Sequence, residues 1–245
     1  MPYLNVAPLV HGLEGRLALL PPSQLAVALR RGEIDAGLLS VTEALFGEDY
    51  DILDGPCVAS HGEVYSVILT CRRPLDEVRE VRCHDASLTS VNLLRVLLAE
   101  RGLHPRFETL ADVAEAGAHD FVLLIGDPAI RFRQAHPDRL VLDLGLAWRE
   151  LTGLPFVYAV WVLRREAETS ALRRELCAAA DRGVRDLENV IRTTPGFDET
   201  FRRHYLTSCV SHDLGANEKQ GIARFVALLR RHAGRPVFDP RYVRP

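Results

Sequence analysis

Residues 83–98 read CHDASLTSVNLLRVLL, which combines a strand end, a short polar loop and the first turns of a helix. Leucines at positions 93–94 and 97–98 recur at the spacing of one buried helix face. Three hydroxyl side chains fall where this helix begins: Ser87, Thr89 and Ser90. Because a helix start has unpaired N–H groups and a partial positive charge, these hydroxyls either cap the helix or help to hold a small anion. From this stretch alone, capping is the simpler interpretation.

The pattern of the whole chain predicts an α/β protein with two lobes. Strands and helices alternate through most of the sequence, and its last part is almost entirely helical. Two long apolar strands, at residues 63–71 and 156–163, bracket a middle segment of α/β character. Such an arrangement is typical of a chain that crosses to a second lobe and returns. We therefore predict lobe 1 from residues 1–74 and 155–245, lobe 2 from residues 75–154, and a ligand cleft between them.

The composition is that of an ordinary globular protein. The chain has 245 residues, of which 47% are hydrophobic and 26% charged, so one large or two small domains can form real cores. Its net charge of −3 gives no reason to expect a nucleic acid or an anionic membrane as partner. Five cysteines occur without a Cys-x-x-Cys pair, so neither a disulfide framework nor a zinc site is predicted. With no membrane-length apolar run and no signal peptide, we expect a reducing cytoplasm.

Polar residues cluster at the predicted strand ends, where open α/β sheets bind ligands. These positions are Asn5, Ser40, Ser60, Gly62, Ser66, the three hydroxyl residues at 87–90, Gly126, Asp127 and residues 152–156, which include Pro155 and Phe156. Most are neutral hydrogen-bonding groups with aromatic neighbours. They contain no paired carboxylates and no cluster with metal-ligand spacing, and there is no nucleotide-binding glycine loop. We therefore predict neither a metal nor a cofactor.

Each candidate also has a structural interpretation. Asn5 either contacts a ligand or fixes the loop before Pro8. Asp127 is a natural N-cap for the helix that follows it, and this interpretation is favoured. His61 is either a general base or an exposed loop histidine, and the loop is favoured. Phe156 either lines a pocket for a flat ring or, as is commoner, packs in the core.

A set of motifs resembles one known family over nearly the whole chain. The motifs are Tyr-Leu-Asn-x-x-Pro-Leu at 3–9, Pro-Ser-x-Leu-Ala-x-x-Leu-x-x-Gly-Glu-x-Asp at 22–35, Ser-x-Gly at 60–62, Ser-Val at 66–67, Ser-x-Thr-Ser at 87–90, Leu-Ile-Gly-Asp-x-Ala at 124–129 and Trp-x-x-x-Thr-Gly-Leu-Pro-Phe-Val-x-Ala-x-Trp at 148–161. Together they resemble the menaquinone-biosynthesis family of the futalosine route, in its chorismate dehydratase branch. The resemblance implies a two-lobed, periplasmic-binding-protein-like (class II) fold. It also implies removal of water from chorismate to give 3-[(1-carboxyvinyl)oxy]benzoate.

The resemblance gives the candidates roles toward a small dicarboxylate. Ser87, Thr89 and Ser90 are expected to hold one carboxylate, and Ser60, Gly62 and Ser66 to serve the other or the ring hydroxyl. Four more residues complete the expected substrate-binding set: Gly126, Asp127, Pro155 and Phe156. Since no protein base stands out, we hypothesise that the enolpyruvyl carboxylate of the substrate takes the proton while Asn5 orients the substrate. Family members usually have a full strand before Tyr-Leu-Asn, whereas Met1 and Pro2 precede it here, so we expect a weaker sheet behind Asn5.

Two alternatives of other kinds stay open. The first is a solute-binding protein for a small carboxylate that performs no chemistry. The second is the sister enzyme of the same route, 1,4-dihydroxy-6-naphthoate synthase. The motifs at 125–127 and 152–156 favour the dehydratase over this sister enzyme. A ligand-sensing regulator is disfavoured, because no basic helix-turn-helix is present.

Overall fold

The computed structural model describes residues 3–13, 15–20, 22–84 and 88–245, and of residues 22, 23 and 84 the backbone alone. The helices are α1 (Pro22–Arg30), α2 (Val41–Phe46), α3 (Leu88–Ala99), α4 (Gly126–Ala135), α5 (Leu144–Thr152), α6 (Ser170–Arg185), α7 (Leu187–Thr193), α8 (Glu199–His204) and α9 (Ala216–His232). The strands are β1 (Ala36–Ser40), β2 (Tyr50–Ser60), β3 (Val67–Cys71), β4 (Glu80–His84), β5 (Arg106–Leu110), β6 (Phe121–Ile125), β7 (Leu140–Asp143), β8 (Phe156–Arg164), β9 (Ser211–Asp213) and β10 (Tyr242–Val243). Shorter helical turns are the 3₁₀ helices Leu4–Val10, Leu75–Glu77 and Val113–Ala118 and the π-helical turn Tyr205–Cys209.

The first sheet is built from both ends of the chain. Its strand order is β1-β8-β2-β10, and β9 pairs with β2 at one side. The central strand β8 runs antiparallel to β1 and β2, and it is almost wholly buried. Its run of β-branched and aromatic residues is typical of a strand covered on both faces. Helix α6 packs against β2 and helix α9 against β8.

The second sheet comes from the middle of the chain. Its order is β5-β4-β6-β3-β7, with β4 parallel to β5 and β6 and with β3 antiparallel to β6 and β7. Helix α3 covers β6 and also contacts α2 and α9, which pack on the first sheet. The apolar face predicted for residues 88–98 is therefore buried where the two halves of the molecule meet.

Strand β3 belongs to the second sheet, although the predicted boundary at residue 74 assigns it to lobe 1. All five of its residues are buried, and a strand that is buried on both faces fits the middle of either sheet equally well. Its partners decide the matter, because Val67 lies opposite Ile125 and Cys71 opposite Phe121. The chain thus crosses between the sheets at residues 61–66 and returns between β7 and β8. The assignment of the other residues to two lobes stays a prediction.

The first crossing is held by the buried carboxylate of Asp143. This carboxylate accepts the N–H of Val64 at 3.1 Å and the N–H of Tyr65 at 2.8 Å, and it also caps the first turn of α5. Tyr65 has a φ of 65°, a left-handed conformation that side chains other than glycine adopt only with support from their surroundings. Burial raises the pKa of Asp143, and the hydrogen bonds to Val64, Leu146 and Tyr65 act in the opposite direction. These contacts fix where Ser66, the next residue, enters the second sheet.

The described helices can be checked for membrane-spanning length, and the cysteines for disulfide bonds. Within the described ranges, no helix is both long enough and apolar enough to cross a membrane. All five cysteines are free thiols, and four of them are buried. Burial raises the pKa of Cys71 and the pKa of Cys209 to about 11, so both thiols stay protonated at neutral pH.

Candidate active site

A cavity of about 390 Å³ lies between the two sheets. Strands β1 and β8 and the 3₁₀ helix Leu4–Val10 line it from the first sheet, while α3 and the turn from β6 into α4 line it from the second. Most of the lining is apolar, and its polar groups include Asn5 and Ser40 on one side and Ser90 on the other. Ligands of α/β proteins bind in such places, outside the strand ends and between structural units.

The backbone around Asn5 is held in the cavity wall by two hydrogen bonds, one at the preceding residue and one at Asn5 itself. The N–H of Leu4 donates to Asp127 Oδ1 at 3.0 Å. His212 donates from Nε2 to the carbonyl oxygen of Asn5 at 2.8 Å. Burial lowers the pKa of His212, so the ring is neutral at pH 7 and carries its proton on the nitrogen that meets the carbonyl. The backbone that presents Asn5 is thereby fixed by β9 of the first sheet and by α4 of the second.

Hydroxyl groups from both sheets meet at the start of α3. Thr89 Oγ1 accepts the backbone N–H and the hydroxyl of Thr42, both at 3.2 Å, and it also hydrogen-bonds the hydroxyl of Ser40. Thr89 and Ser90 are both buried, and Ser90 lines the cavity. The third predicted hydroxyl, Ser87, lies outside the described residues. In the described residues, the start of α3 therefore carries one hydroxyl, that of Thr89, which bonds across the two sheets, and a second residue, Ser90, which lines the cavity.

Ser60, Gly62 and Ser66 lie behind the cavity wall rather than on it. The Ser60 hydroxyl donates to the carbonyl of Gly62 at 3.1 Å and lies 3.2 Å from the hydroxyl of Tyr158, which does line the cavity. The Ser66 hydroxyl lies 2.6 Å from the hydroxyl of Tyr205. Ser60 thus contacts a tyrosine of the cavity wall, and Ser66 contacts the buried Tyr205, which does not line the cavity.

Gly126 and Asp127 form the turn from β6 into α4. Gly126 has a φ of 62°, and a Cβ there would lie 2.6 Å from the ring of Tyr3, so the close approach of this ring requires glycine. Gly126 lines the cavity, and Asp127 accepts the N–H of Leu4 as described above. Burial raises the pKa of Asp127, while the hydrogen bond from Leu4 and the charge of Arg131 lower it.

Pro155 and Phe156 lie in the core. The carbonyl of Pro155 accepts the indole N–H of Trp148 at 3.1 Å. The Phe156 ring packs edge-on against Trp148, Tyr158 and Phe225 with centroid distances of 4.9–5.1 Å. This aromatic cluster supports the wall that Tyr158 forms.

His61 is separate from the cavity lining. Its side chain is 53% exposed, and Nε2 lies 3.0 Å from the buried carboxylate of Glu218 on α9. The position of His61 therefore fits an exposed loop histidine better than a general base in the cavity.

Two charged residues line the cavity in the described part of the chain, and each has an ionic partner. Arg16 Nη2 donates to Glu175 Oε2 at 3.1 Å. Asp35 Oδ1 lies 3.7 Å from Arg164 Nη1. Among the same described residues, no group of three or more His, Cys, Asp or Glu side chains is placed to hold a metal ion.

Sequence reasoning missed four residues that build the site: Tyr3, Thr42, Tyr205 and His212. Tyr3 belongs to the opening motif, and only its contact with Gly126 reveals its place in the wall. Thr42 follows Ser40 by two residues, so a strand-end search extended into the next helix would find it. Tyr205 and His212 come from the C-terminal part, whose amphipathic pattern indicates helices and nothing about the cavity.

The two sheets and the cavity between them define the class of protein. The structure is similar to the alkanesulfonate-binding protein SsuA from Xanthomonas axonopodis pv. citri, with a TM-score of 0.70 and 18% identity, covering 99% of this chain and 96% of that chain. The fold is therefore two-lobed, α/β and periplasmic-binding-protein-like, and the predicted fold class is confirmed.

The sequence places the chain more narrowly within this class. The sequence model of the menaquinone biosynthesis family matches residues 1–231, and the chain belongs to that family. It is 36% identical to a chorismate dehydratase of Thermus thermophilus, covering 93% of this chain and 92% of the relative. It is 26% identical to a chorismate dehydratase of Campylobacter jejuni, covering 91% of this chain and 89% of the relative. The predicted family is confirmed.

Proposed function

We propose that this protein is a chorismate dehydratase, a carbon–oxygen lyase that converts chorismate into 3-[(1-carboxyvinyl)oxy]benzoate and water. The observation that carries the proposal is the cavity between the sheets, where Asn5 from one side and Ser90 from the other meet the same space. The relatives named chorismate dehydratase support it, because they match nearly the whole chain and thus both sides of the cavity.

The proposed reaction does not require a strong base or a strong acid from the protein. A C–H bond breaks at the ring carbon that carries the enolpyruvyl ether, and a C–O bond breaks at the neighbouring carbon that carries the hydroxyl. The electron pair of the C–H bond becomes part of the ring, which turns aromatic, and the proton and hydroxide leave as water. Because aromaticity drives the reaction, positioning and preorganised hydrogen bonds supply the larger part of the catalysis.

One carboxylate of the substrate is proposed to bind at the start of α3. Helix N-termini favour anions through unpaired N–H groups and the helix dipole, and α3 has three turns. The predicted hydroxyl set of Ser87, Thr89 and Ser90 fits this role, and Ser40 joins it because its hydroxyl bonds Thr89 beside the cavity. In this arrangement Ser90 contacts the carboxylate, and Thr89 aligns the hydroxyls of the two sheets.

The opposite wall is proposed to hold the ring and its second carboxylate. Asn5, the one predicted catalytic residue, orients the substrate. In the same wall, Gly126 leaves room for the ring of Tyr3. Ser60 and Gly62 act through Tyr158, whose hydroxyl lies next to Ser60. The remaining predicted residues support this wall from behind: Ser66, Asp127, Pro155 and Phe156.

The proton acceptor is proposed to be the enolpyruvyl carboxylate of the substrate. His61 is half exposed and paired with Glu218. Asp127 is the other candidate base, and it is engaged by the N–H of Leu4. The substrate carboxylate, in contrast, is attached through the vinyl carbon and the ether oxygen to the ring carbon that loses its proton.

We expect Asp127→Asn to keep turnover within about tenfold of wild type, since a protein base contributes about 10²–10⁴-fold. Asparagine keeps an oxygen that accepts the N–H of Leu4 and removes only the basic carboxylate. His61→Ala is the matched variant at the exposed candidate and is expected to leave kcat unchanged. The measurement is kcat and KM for chorismate; a loss of about 10²-fold or more in kcat with either variant, at unchanged binding, would identify a protein base and contradict the proposal.

The proposed function is tested by mixing chorismate with an equimolar amount of protein and following the ligand by proton NMR. A dehydratase converts the ring-diene signals of chorismate into those of an aromatic product. A solute-binding protein broadens or shifts the chorismate signals and leaves the compound intact. The second outcome would refute the enzyme and support the binding protein.

We also propose a cytoplasmic location. Five unpaired thiols are what a reducing compartment maintains, and this supports the assignment.

A further inference from the structure

The carbonyl group of Asn5 lacks the hydrogen-bond donor that its helix would normally provide. Asn5 lies in the 3₁₀ helix Leu4–Val10, and in such a helix each carbonyl accepts the N–H of the residue three positions later. For Asn5 that residue is Pro8, and proline has no N–H. Because a carbonyl without a partner is costly away from water, the Asn5 carbonyl needs a donor from another part of the chain.

His212 provides this donor from far along the sequence. Its Nε2 atom lies 2.8 Å from the carbonyl oxygen of Asn5, which is 207 residues away in the chain. A carbonyl oxygen only accepts hydrogen bonds, so Nε2 is the nitrogen that carries the proton. A side chain thus takes the place of the N–H that Pro8 does not have.

His212 is itself anchored in the first sheet. The residues on either side of it pair with strand β2, with Ser211 opposite Ala59 and Asp213 opposite Pro56. Strand β2 is an interior strand, between β8 and β10. The hydrogen bond from His212 therefore sets the position of the Asn5 backbone relative to the first sheet, while the bond between Leu4 and Asp127 sets it relative to the second.

We propose that His212 is a positioning residue for the dehydration, which replaces the donor that Pro8 lacks and so sets where Asn5 stands in the cavity wall. This inference rests on the proposed function, since it depends on the role assigned to Asn5. His212 is not among the described residues that line the cavity, so its effect on the substrate passes through Asn5.

The first test is His212→Leu, which keeps a side chain of similar size and removes the donor. We expect kcat for chorismate to fall between about tenfold and 10²-fold with KM within about threefold of wild type, because misplacement of an orienting group costs rate. His136→Leu is the matched control, since it removes another hydrogen bond between a histidine and a backbone carbonyl, of 3.0 Å, just after α4. His136 does not belong to the described lining of the cavity, and its variant is expected to keep the wild-type kcat.

His212→Gln separates positioning from proton transfer. The amide nitrogen of glutamine is as many bonds from the backbone as Nε2 of histidine and also donates a hydrogen bond, but it does not serve as an acid or base. We expect this variant to keep kcat within about threefold of wild type, whereas loss of a general acid or base costs about 10²–10⁴-fold. His212→Asn, whose amide is one bond shorter, is expected to behave like His212→Leu.

The double variant Asn5→Ala with His212→Leu tests whether His212 acts through Asn5. Once the side chain of Asn5 is absent, its placement no longer affects the reaction. The double variant is therefore expected to have a kcat within about threefold of Asn5→Ala alone, because residues that act as a unit are not additive. Independent roles would multiply the two losses.

A second readout does not depend on turnover. An asparagine is followed by a valine twice in the sequence, at residues 5–6 and 189–190. A sample with ¹³C in the asparagine carbonyls and ¹⁵N in valine therefore gives two carbonyl–amide correlations, and Asn5→Ala identifies the one of Asn5. His212→Leu is expected to shift the carbonyl signal of Asn5 and not that of Asn189, and His212→Gln to leave both near their wild-type positions.

The outcomes separate this inference from the proposed function. If wild type does not convert chorismate, the proposed function fails, and the carbonyl spectrum alone decides whether His212 holds the Asn5 turn. An unmoved Asn5 signal in His212→Leu overturns the inference in either case. With an active wild type, it is also overturned by a kcat of His212→Leu within about twofold of wild type, by an equal loss in His136→Leu or His212→Gln, or by multiplied losses in the double variant. Should His212→Leu fail to fold, His212→Asn takes its place under the same criteria.

Discussion

Asn5→Ala is expected to lower kcat for chorismate by about 10²-fold while the substrate still binds. Asn5 lines the cavity on a stretch of backbone that His212 and Asp127 hold, so truncation of its side chain removes an orienting group and leaves the wall in place. The carboxylate contacts proposed at the start of α3 lie on the other side of the cavity and remain available. The measurements are steady-state kinetics and calorimetric titration of chorismate into the variant.

Asn217→Ala is the control for this prediction, because Asn217 is exposed in the first turn of α9. Wild-type kinetics are expected for it. If Asn5→Ala keeps kcat within about threefold of wild type, Asn5 does not orient the substrate, and the catalytic role assigned to it is wrong.

Gly183→Ala is expected to have the largest effect on stability. Gly183 lies in α6 against the 3₁₀ helix Leu4–Val10, and a Cβ at this position would overlap the carbonyl oxygen of Pro8. Overpacking against backbone costs about 3 kcal/mol, and the better helix propensity of alanine returns about 1 kcal/mol, so the free energy of unfolding falls by about 2 kcal/mol. Because the displaced 3₁₀ helix carries Asn5, kcat is expected to fall as well.

Gly117→Ala provides the comparison for Gly183→Ala. A Cβ at Gly117 has its nearest neighbour, His136 Nε2, at 3.9 Å, which is an ordinary contact distance. Chemical denaturation of both variants and of wild type gives the two changes in unfolding free energy. Equal stability of Gly183→Ala and wild type would mean that α6 does not support the Asn5 turn as described.

The periodic spacing of apolar residues in the sequence was sufficient to predict the fold class. The leucine spacing at 93–98 requires a buried helix face, and α3 has one. The pattern at 156–163 predicts a central strand, and β8 is an interior strand of the first sheet, between β1 and β2. Strand β3 could not be assigned to a sheet in this way, because a strand buried on both faces carries no preference for one set of neighbours.

The candidate site was predictable in its position along the chain but not in the direction of its side chains. Asn5 and Ser90 line the cavity, whereas Ser60 contacts Tyr158 of the cavity wall and Ser66 contacts the buried Tyr205. Strand-end position identifies residues near a ligand site, but which atoms reach it depends on packing across the sheets. Tyr205 illustrates the limit, since its hydroxyl contacts that of Ser66, which is 139 residues away in the sequence.

The central claim is that the cavity between the two sheets dehydrates chorismate. Its most direct measurement is the yield of 3-[(1-carboxyvinyl)oxy]benzoate when wild-type protein is incubated with a large molar excess of chorismate, with both compounds quantified by liquid chromatography and mass spectrometry. The account predicts many equivalents of this product per protein molecule, matched by an equal loss of chorismate. Binding of chorismate by the folded protein without any loss of the compound would contradict it.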